Sequence, residues 1–281
     1  MFEVRNLCVK RGTTPIVQHL SLSIEAGSIV GLVGPNGAGK TTTICAILGL
    51  LEATSDELTL NGQDLRMRGG ERRQQFGYVP QSVAIYPELT VRTNLEIWAG
   101  LYNLDKQKAR TRVEYALQLA GLEHRAQSRV STLSGGMERR LNLSIGLLHD
   151  PDVLICDEPT TGVDAESRKA IYNALLQLKE EGKHILYTTH YFQEVEQLCD
   201  RVVIIQDGKA LVESSVEALL RRGTGNDSSQ KLQVETALSA SELEASLKAA
   251  NIEVNAVRPD PVSLESVYLR LTAKSSEGGS E

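Results

Sequence analysis

Aromatic residues are scarce, at 4% of the 281 residues with a single Trp. Once a core has taken its share, too few rings remain for a platform that stacks single-stranded bases. Positive charge is also in deficit, with 30 Lys+Arg against 36 Asp+Glu and a formal net charge of -6. Such a surface repels a phosphate backbone, so no nucleic-acid partner is expected. Long hydrophobic runs are missing too: the longest, Ile44 to Leu51, is interrupted by Gly49 and falls far short of the roughly 20 residues that span a bilayer. The stretch Met1 to Asn6 has no basic segment leading into an apolar one, so no secretory signal is expected. A soluble cytoplasmic protein is the expectation. Four cysteines, Cys8, Cys45, Cys156 and Cys199, are too scattered for a metal-binding pattern and are read as reduced core thiols.

What remains is an ordinary globular composition, 41% hydrophobic and 23% charged, long enough for one large domain or a medium domain with a small appendage. Short buried runs alternate with amphipathic stretches. Ser28 to Val33, Val153 to Cys156, His184 to Thr189 and Val202 to Ile205 read as strands, and the helical spacings between them predict a parallel α/β core. The first thirty or so residues read instead as antiparallel strands. From about 90 to 145 the spacing of Leu95, Trp98, Leu101, Val113 and Leu117 predicts a helical subdomain. The main domain is placed at 1–222, followed by a linker at 223–230 rich in Gly, Ser, Asn and Asp. A small α/β accessory domain is placed at 231–272, its first helix opening at a capping box from Ser241 to Glu244, and a disordered tail at 273–281.

Gly34-Pro35-Asn36-Gly37-Ala38-Gly39-Lys40-Thr41, with Thr42 next, matches the phosphate-loop pattern in full and lies between a strand and a helix. Glycines let backbone N–H groups converge on phosphate oxygens at a helix N-terminus. Lys40 is expected to reach the terminal phosphates and Thr41 to ligand Mg²⁺. The strand at Val153 delivers Asp157 and Glu158 at its carboxyl end, where open α/β sheets place ligands. Alone, that pair reads better as a solvated loop; beside a phosphate loop it is the expected metal site, Asp157, and general base, Glu158. A second phosphate-binding device is Leu133-Ser134-Gly135-Gly136-Met137 ahead of a helical stretch. One nucleotide needs one cradle, so the second suggests service to a nucleotide held by another chain.

These motifs, with Gln81 in Tyr78-Val79-Pro80-Gln81, Asp164 in Thr161-Gly162-Val163-Asp164 and His190 in Thr188-Thr189-His190, resemble the nucleotide-binding subunits of ABC transporters. The resemblance covers about residues 1 to 220. It implies the α/β P-loop NTPase fold of ABC type: a parallel-sheet core, an antiparallel β subdomain and a helical subdomain, here with a small C-terminal α/β appendage. It also implies ATP and Mg²⁺ as cofactors. By position it implies that Gln81 couples Mg²⁺ occupancy to a membrane partner, that Ser134 to Gly136 grip the γ-phosphate of an opposite subunit's ATP, that Asp164 works across the dimer interface and that His190 contacts the γ-phosphate. Catalytic roles thus fall on Lys40, Gln81, Glu158 and His190, and metal contacts on Thr41, Gln81 and Asp157. The family usually offers an aromatic ring to adenine where this chain has Arg11, whose guanidinium can stack on a purine; weaker base selectivity is the other reading.

Residues 188–200, 142–151 and 263–271 look most like the bacterial ABC type-2 exporter ATPases, which work with a separate integral membrane permease on the cytoplasmic face of the inner membrane. A homodimer is the simpler assembly and a heterodimer the alternative. The competing function is a non-transport ABC ATPase acting on DNA or the ribosome, or a regulatory nucleotide sensor. Such chains typically carry long coiled-coil arms, zinc modules or tandem ATPase domains, which the sequence does not display.

Overall fold

Alternation of inward apolar residues builds the first sheet. In β1 (Phe2–Arg11) the side chains of Phe2, Val4, Leu7 and Val9 are buried, and β2 (Thr14–Ile24) returns antiparallel to it. With β4 (Glu57–Leu60) and β5 (Gln63–Asp64) they form a four-stranded antiparallel sheet of order β2-β1-β4-β5. The computed structural model describes residues 1–66, 74–223 and 239–250.

The second sheet holds the chemistry. β3 (Ser28–Val33), β6 (Phe76–Val79), β7 (Val153–Asp157), β8 (His184–Thr189), β9 (Arg201–Gln206) and β10 (Lys209–Ser215) run in the order β10-β9-β3-β8-β7-β6. All are parallel except β10, which turns back on β9 through Asp207 and Gly208. Strands β7 and β8 are buried along their whole length, as continuous apolar runs in a parallel sheet require. The helix α1 (Lys40–Ile47) follows β3 directly. Phe2 of the first sheet meets Phe76 of the second edge-on, with ring centroids 5.6 Å apart.

Three helices, α2 (Val91–Leu101), α3 (Lys106–Ala120) and α4 (Gly135–Ile145), share a separate apolar core that includes Leu95, Leu117, Leu122 and Leu141. Each begins on a capping side chain, from Thr90, Asp105 and Ser134 respectively, which satisfies N–H groups the helix leaves open. Two further helices, α5 (Ala165–Glu180) and α6 (Phe192–Leu198), flank β8 in sequence. These three helices lie in the stretch, about 90 to 145, where a helical subdomain is expected.

The chain divides into two units, Met1–Val216 and Glu217–Glu281. Helix α7 (Val216–Gly223) straddles that boundary and α8 (Ala240–Ala249) lies in the second unit. The capping box of α8 is Ser239–Glu242, two residues before the expected one: Ser239 Oγ accepts from the Glu242 N–H, and Glu242 Oε2 accepts from the Ser239 N–H at 2.8 Å. The linker from 224 on, the accessory domain placed at 231–272 apart from residues 239–250, and the tail at 273–281 lie outside the described residues. Among the described residues no helix is long and apolar enough to cross a membrane.

The cysteine expectation holds for two of four. Cys156 and Cys199 are buried, and burial pushes both thiols up. Cys8 and Cys45 are only half-buried; Cys8 falls on the outward register of β1 between inward Leu7 and Val9.

Two histidines make stability pH-dependent. Burial draws both His149 and His184 below the ordinary imidazole value. The His149 ring stacks on Tyr102 with centroids 4.0 Å apart, its Nε2 lies 3.0 Å from the Phe76 carbonyl oxygen, and its Nδ1 has no hydrogen-bond partner among the described residues. A base whose folded pKa lies below the unfolded value of 6.5 binds its proton better unfolded. The stability supplied by these neutral rings is therefore complete above 6.5 and is lost as pH falls through the folded values, with a slope of at most about 1.4 kcal/mol per pH unit for each ring. Denaturant midpoints are expected to drop between about pH 7.5 and 5.5, and His149→Gln to shrink that drop.

Candidate functional site

Four neighbouring parallel strands, β6, β7, β8 and β3, end at one edge of the second sheet. Their carboxyl ends deliver Gln81, the pair Asp157–Glu158, the run Thr188–His190 and the loop Gly34–Lys40. Register aligns them further, since Asp157 pairs with Thr188 and Val33 with Thr189. Sheet topology thus gathers motifs that are far apart in sequence.

The phosphate loop starts where β3 runs tight against β9. A Cβ on Gly34 would lie 2.2 Å from the Ile205 carbonyl oxygen, so only glycine fits. Gly39, at φ 107, takes a backbone that L side chains rarely adopt and turns the chain into α1, whose first N–H groups have no intrahelical acceptor. Lys40 is buried and folds back over the loop. Its Nζ donates to the carbonyls of Gly34 at 2.8 Å and Pro35 at 3.2 Å and lies 3.5 Å from Glu158 Oε1.

The two carboxylates divide between hydroxyls and charged groups. Asp157 Oδ2 accepts from Thr41 Oγ1 at 3.0 Å and its Oδ1 from Thr188 Oγ1 at 2.8 Å. Hydroxyl and carboxylate side by side are the hard oxygen donors that Mg²⁺ selects, so the residues present fit that ion. Glu158 sits at φ 47, a left-handed conformation that costs a non-glycine residue about 1–3 kcal/mol. Its N–H is held by the Thr188 carbonyl oxygen at 3.2 Å and Oγ1 at 3.1 Å. The side chain is a hub: Oε2 accepts from Gln81 Nε2 at 3.3 Å and Thr161 Oγ1 at 3.2 Å and faces His190 Nδ1 at 3.3 Å. Lys40, Gln81, Asp157, Glu158 and His190 of the sequence reading, with Thr41, therefore form one cluster. The His190 ring also packs on Tyr191, with centroids 4.0 Å apart.

The remaining residues form a different surface. Ser134 caps α4, and Gly135 beside it is exposed. Neither makes a hydrogen bond to the phosphate loop among the described residues. Asp164 is exposed and caps α5, its Oδ1 accepting from the Ser167 N–H at 2.8 Å; that bond holds its carboxyl below the usual carboxylate range. Gly136 is buried against Ser167 and Asp164, so the two helix N-termini make one patch. Arg11 is exposed at the tip of the β1–β2 hairpin, paired with Thr14, and further along β2 the Ile16 carbonyl oxygen would lie 3.3 Å from a Cβ placed on Gly39.

Three contributors escaped sequence reasoning. Thr188 donates to the Asp157 carboxylate and holds the Glu158 backbone N–H, Thr161 donates to Glu158, and Arg139 on α4 donates to the Gln81 carbonyl and, at 3.5 Å, to the Thr161 carbonyl. Arg139 thereby ties the exposed patch to the cluster. Thr188, next to Thr189-His190, and Thr161, at the head of the stretch that ends in Asp164, offered a signal by position; Arg139 offered none.

Comparison with known proteins agrees with this geometry. Residues 17–161 match the family described as ABC transporter. The chain is 37% identical over 294 residues to the Nod factor export ATP-binding protein I of Burkholderia orbicola (strain AU 1054), covering 97% of each. It is 42% identical over 211 residues to the linearmycin resistance ATP-binding protein LnrL of Bacillus subtilis (strain 168), covering 75% of this chain and 68% of that one. Among solved structures, an ATP-binding subunit of an ABC transporter superposes with a TM-score of 0.74 at 26% identity, covering 97% of this chain and 99% of that one. A dimeric ATP-binding cassette in a post-hydrolysis state, bound to ADP and Pi, gives 0.67 at 26% identity over 76% of this chain and 98% of that one. The chain belongs to the ABC transporter family, as one of its ATP-binding, ATP-hydrolysing proteins.

Proposed function

We propose that this ATPase drives export through a separate integral membrane permease by closing as a head-to-tail dimer around ATP. The observation that carries the reading is the separation of two phosphate-binding devices. The phosphate loop and its cluster are complete on one surface, while Ser134, Gly135 and Asp164 form an exposed patch that makes no bond to that loop. A second copy, turned head to tail, would present its patch to the first copy's nucleotide. The names of the two relatives, which concern Nod factor export and linearmycin resistance, support export. A homodimer is favoured because one chain carries both Lys40 and Glu158.

In this reading Lys40, released from the Gly34 and Pro35 carbonyls, holds the terminal phosphates, and the open N–H groups of α1 bind their oxygens. Thr41 and Asp157, with Gln81, hold Mg²⁺, which when bound neutralises charge building on the phosphates. Glu158 takes the proton of the attacking water, and His190 contacts the γ-phosphate and holds Glu158 in line. Arg139 passes the position of Gln81 to α4, a route by which the permease-facing side responds to nucleotide. Arg11 stacks on adenine; Arg11→Ala is expected to weaken ATP binding about 3–10-fold, the loss of one cation–π contact, and unchanged affinity removes that role. The chain then works peripherally, on the cytoplasmic face of the inner membrane.

The partner is tested by affinity purification of the tagged chain from detergent-solubilised membranes. A polytopic membrane protein in comparable amount supports transport. Ribosomes or DNA in its place support the non-transport reading. Chelation of Mg²⁺ is expected to abolish turnover, and Thr41→Ala to raise the Mg²⁺ concentration needed for half-maximal rate.

A further inference from the structure

Glu194 is a buried carboxylate that the hydrolysis reading does not use. It lies on α6, four residues beyond His190, and is 5% exposed. A buried charge is costly unless its lone pairs are filled, and here hydroxyls fill them from two directions. Oε1 accepts from Thr160 Oγ1 at 2.7 Å, two residues past Glu158. Oε2 accepts from Tyr187 Oη at 2.9 Å and from Thr189 Oγ1 at 2.6 Å, on the strand end that leads into His190. The Thr160 and Tyr187 hydroxyls are themselves 2.8 Å apart, which closes a ring through the carboxylate. Burial first, and the Glu194 charge next, hold the Tyr187 phenol well above its ordinary value, so it stays a donor. Arg168 on α5 approaches Oε1 at 3.8 Å and donates to the Val163 carbonyl at 3.3 Å, one residue before Asp164.

The two oxygens therefore hold two different segments. One grips the stretch that follows Glu158, the other the stretch that precedes His190. Thr189 Oγ1 also accepts the Tyr191 N–H at 3.0 Å, so its hydroxyl anchors both sides of His190. We infer that Glu194 is a positioning residue for hydrolysis, which fixes from behind the 3.3 Å spacing between His190 Nδ1 and Glu158 Oε2. The inference rests on the roles given above to Glu158 and His190. An apolar side chain would fill the same volume, but it would leave Thr189 and one member of the Thr160–Tyr187 pair without this acceptor and the two segments unlinked.

The test is a double-mutant cycle on the full chain, read by steady-state ATP hydrolysis. Glu194→Gln keeps the volume and replaces one acceptor oxygen with an amide donor. It is expected to lower kcat about 10-fold with KM for ATP changed less than twofold, and to lower the residual rate of His190→Ala less than about twofold further. Thr189→Val, which keeps the shape and deletes the donor to Glu194 together with the acceptor of the Tyr191 N–H, is the second variant and is expected to follow the same pattern. An equal drop in both backgrounds, or a raised KM with unchanged kcat, overturns the inference alone. A normal rate for His190→Ala by itself overturns the His190 assignment, and this inference with it.

Discussion

The Glu158→Gln chain is expected to bind ATP with normal affinity and to hydrolyse it about 10²–10⁴-fold more slowly, the usual loss when a positioned base is removed. Glutamine keeps the volume of the buried side chain, and its carbonyl oxygen still accepts from Gln81 and Thr161, which lie 3.3 and 3.2 Å away. What disappears is the capacity to take a proton, together with the ion partner 3.5 Å from Lys40 Nζ. Lys40 stays anchored on the Gly34 and Pro35 carbonyls, so the phosphate loop keeps its form. With closure driven by ATP and opening by hydrolysis, the variant is expected to accumulate as a dimer when ATP is added. Steady-state turnover and light scattering in the same buffer read both effects. A variant that turns over normally removes Glu158 from its role; a slow variant that stays monomeric removes the dimer from the mechanism.

The chemistry of this site was legible because its pieces are local. A phosphate loop is eight consecutive residues, and the Asp157–Glu158 pair announces itself at the end of an apolar run. Strand adjacency is not local, and that is where reading stopped. Thr188 acts on Asp157 and Glu158 only because β7 and β8 pair in the register that sets Asp157 beside it. Arg139 matters only because α4 packs near the turn after β7, where Thr161 reaches back to Glu158. The left-handed backbone of Glu158 is equally invisible from the sequence, since strain there is sustained by Thr188 and not by Glu158 itself.

The second unit shows a different limit. The stretch from Ser239 holds two overlapping Ser-x-x-Glu patterns, Ser239–Glu242 and Ser241–Glu244, and nothing local ranks them. Reciprocal bonds close at Ser239, and Glu244 is left to pair with Lys248 one turn on, at 2.8 Å. That i,i+4 pair adds about 0.2–0.5 kcal/mol in the favourable orientation, Glu before Lys. The earlier box thus lets both glutamates find partners, whereas the later one would draw Glu244 back to the cap and leave Glu242 at N1 without the reciprocal bond.

Gly135→Ala and Gly136→Ala, neighbouring substitutions of the same size, are expected to fail for opposite reasons. A Cβ on Gly136 would lie 2.0 Å from Ser167 Oγ, 2.4 Å from Ser167 Cβ and 2.8 Å from Asp164 Oδ2. The Cβ of Ser167 cannot rotate away, so the N-termini of α4 and α5 must separate, at the roughly 1–3 kcal/mol typical of overpacking. The variant is expected to lose both stability and turnover. A Cβ on Gly135 meets nothing within 4 Å, and alanine favours the helix, so thermal unfolding should be unchanged or slightly raised. Its ATPase rate is nevertheless expected to fall about 10²-fold, because a methyl group there holds a phosphate away from the α4 N–H groups by about the ångström that such sites do not tolerate. Only a nucleotide brought by a second chain would feel that methyl group, which gives the split site a direct test. Lys40→Ala disables the phosphate loop of its own chain, and Gly135→Ala disables the patch offered to the partner. Mixing the two inactive chains is expected to restore turnover, since a mixed dimer pairs the intact phosphate loop of one with the intact patch of the other. A site contained within a single chain predicts no rescue.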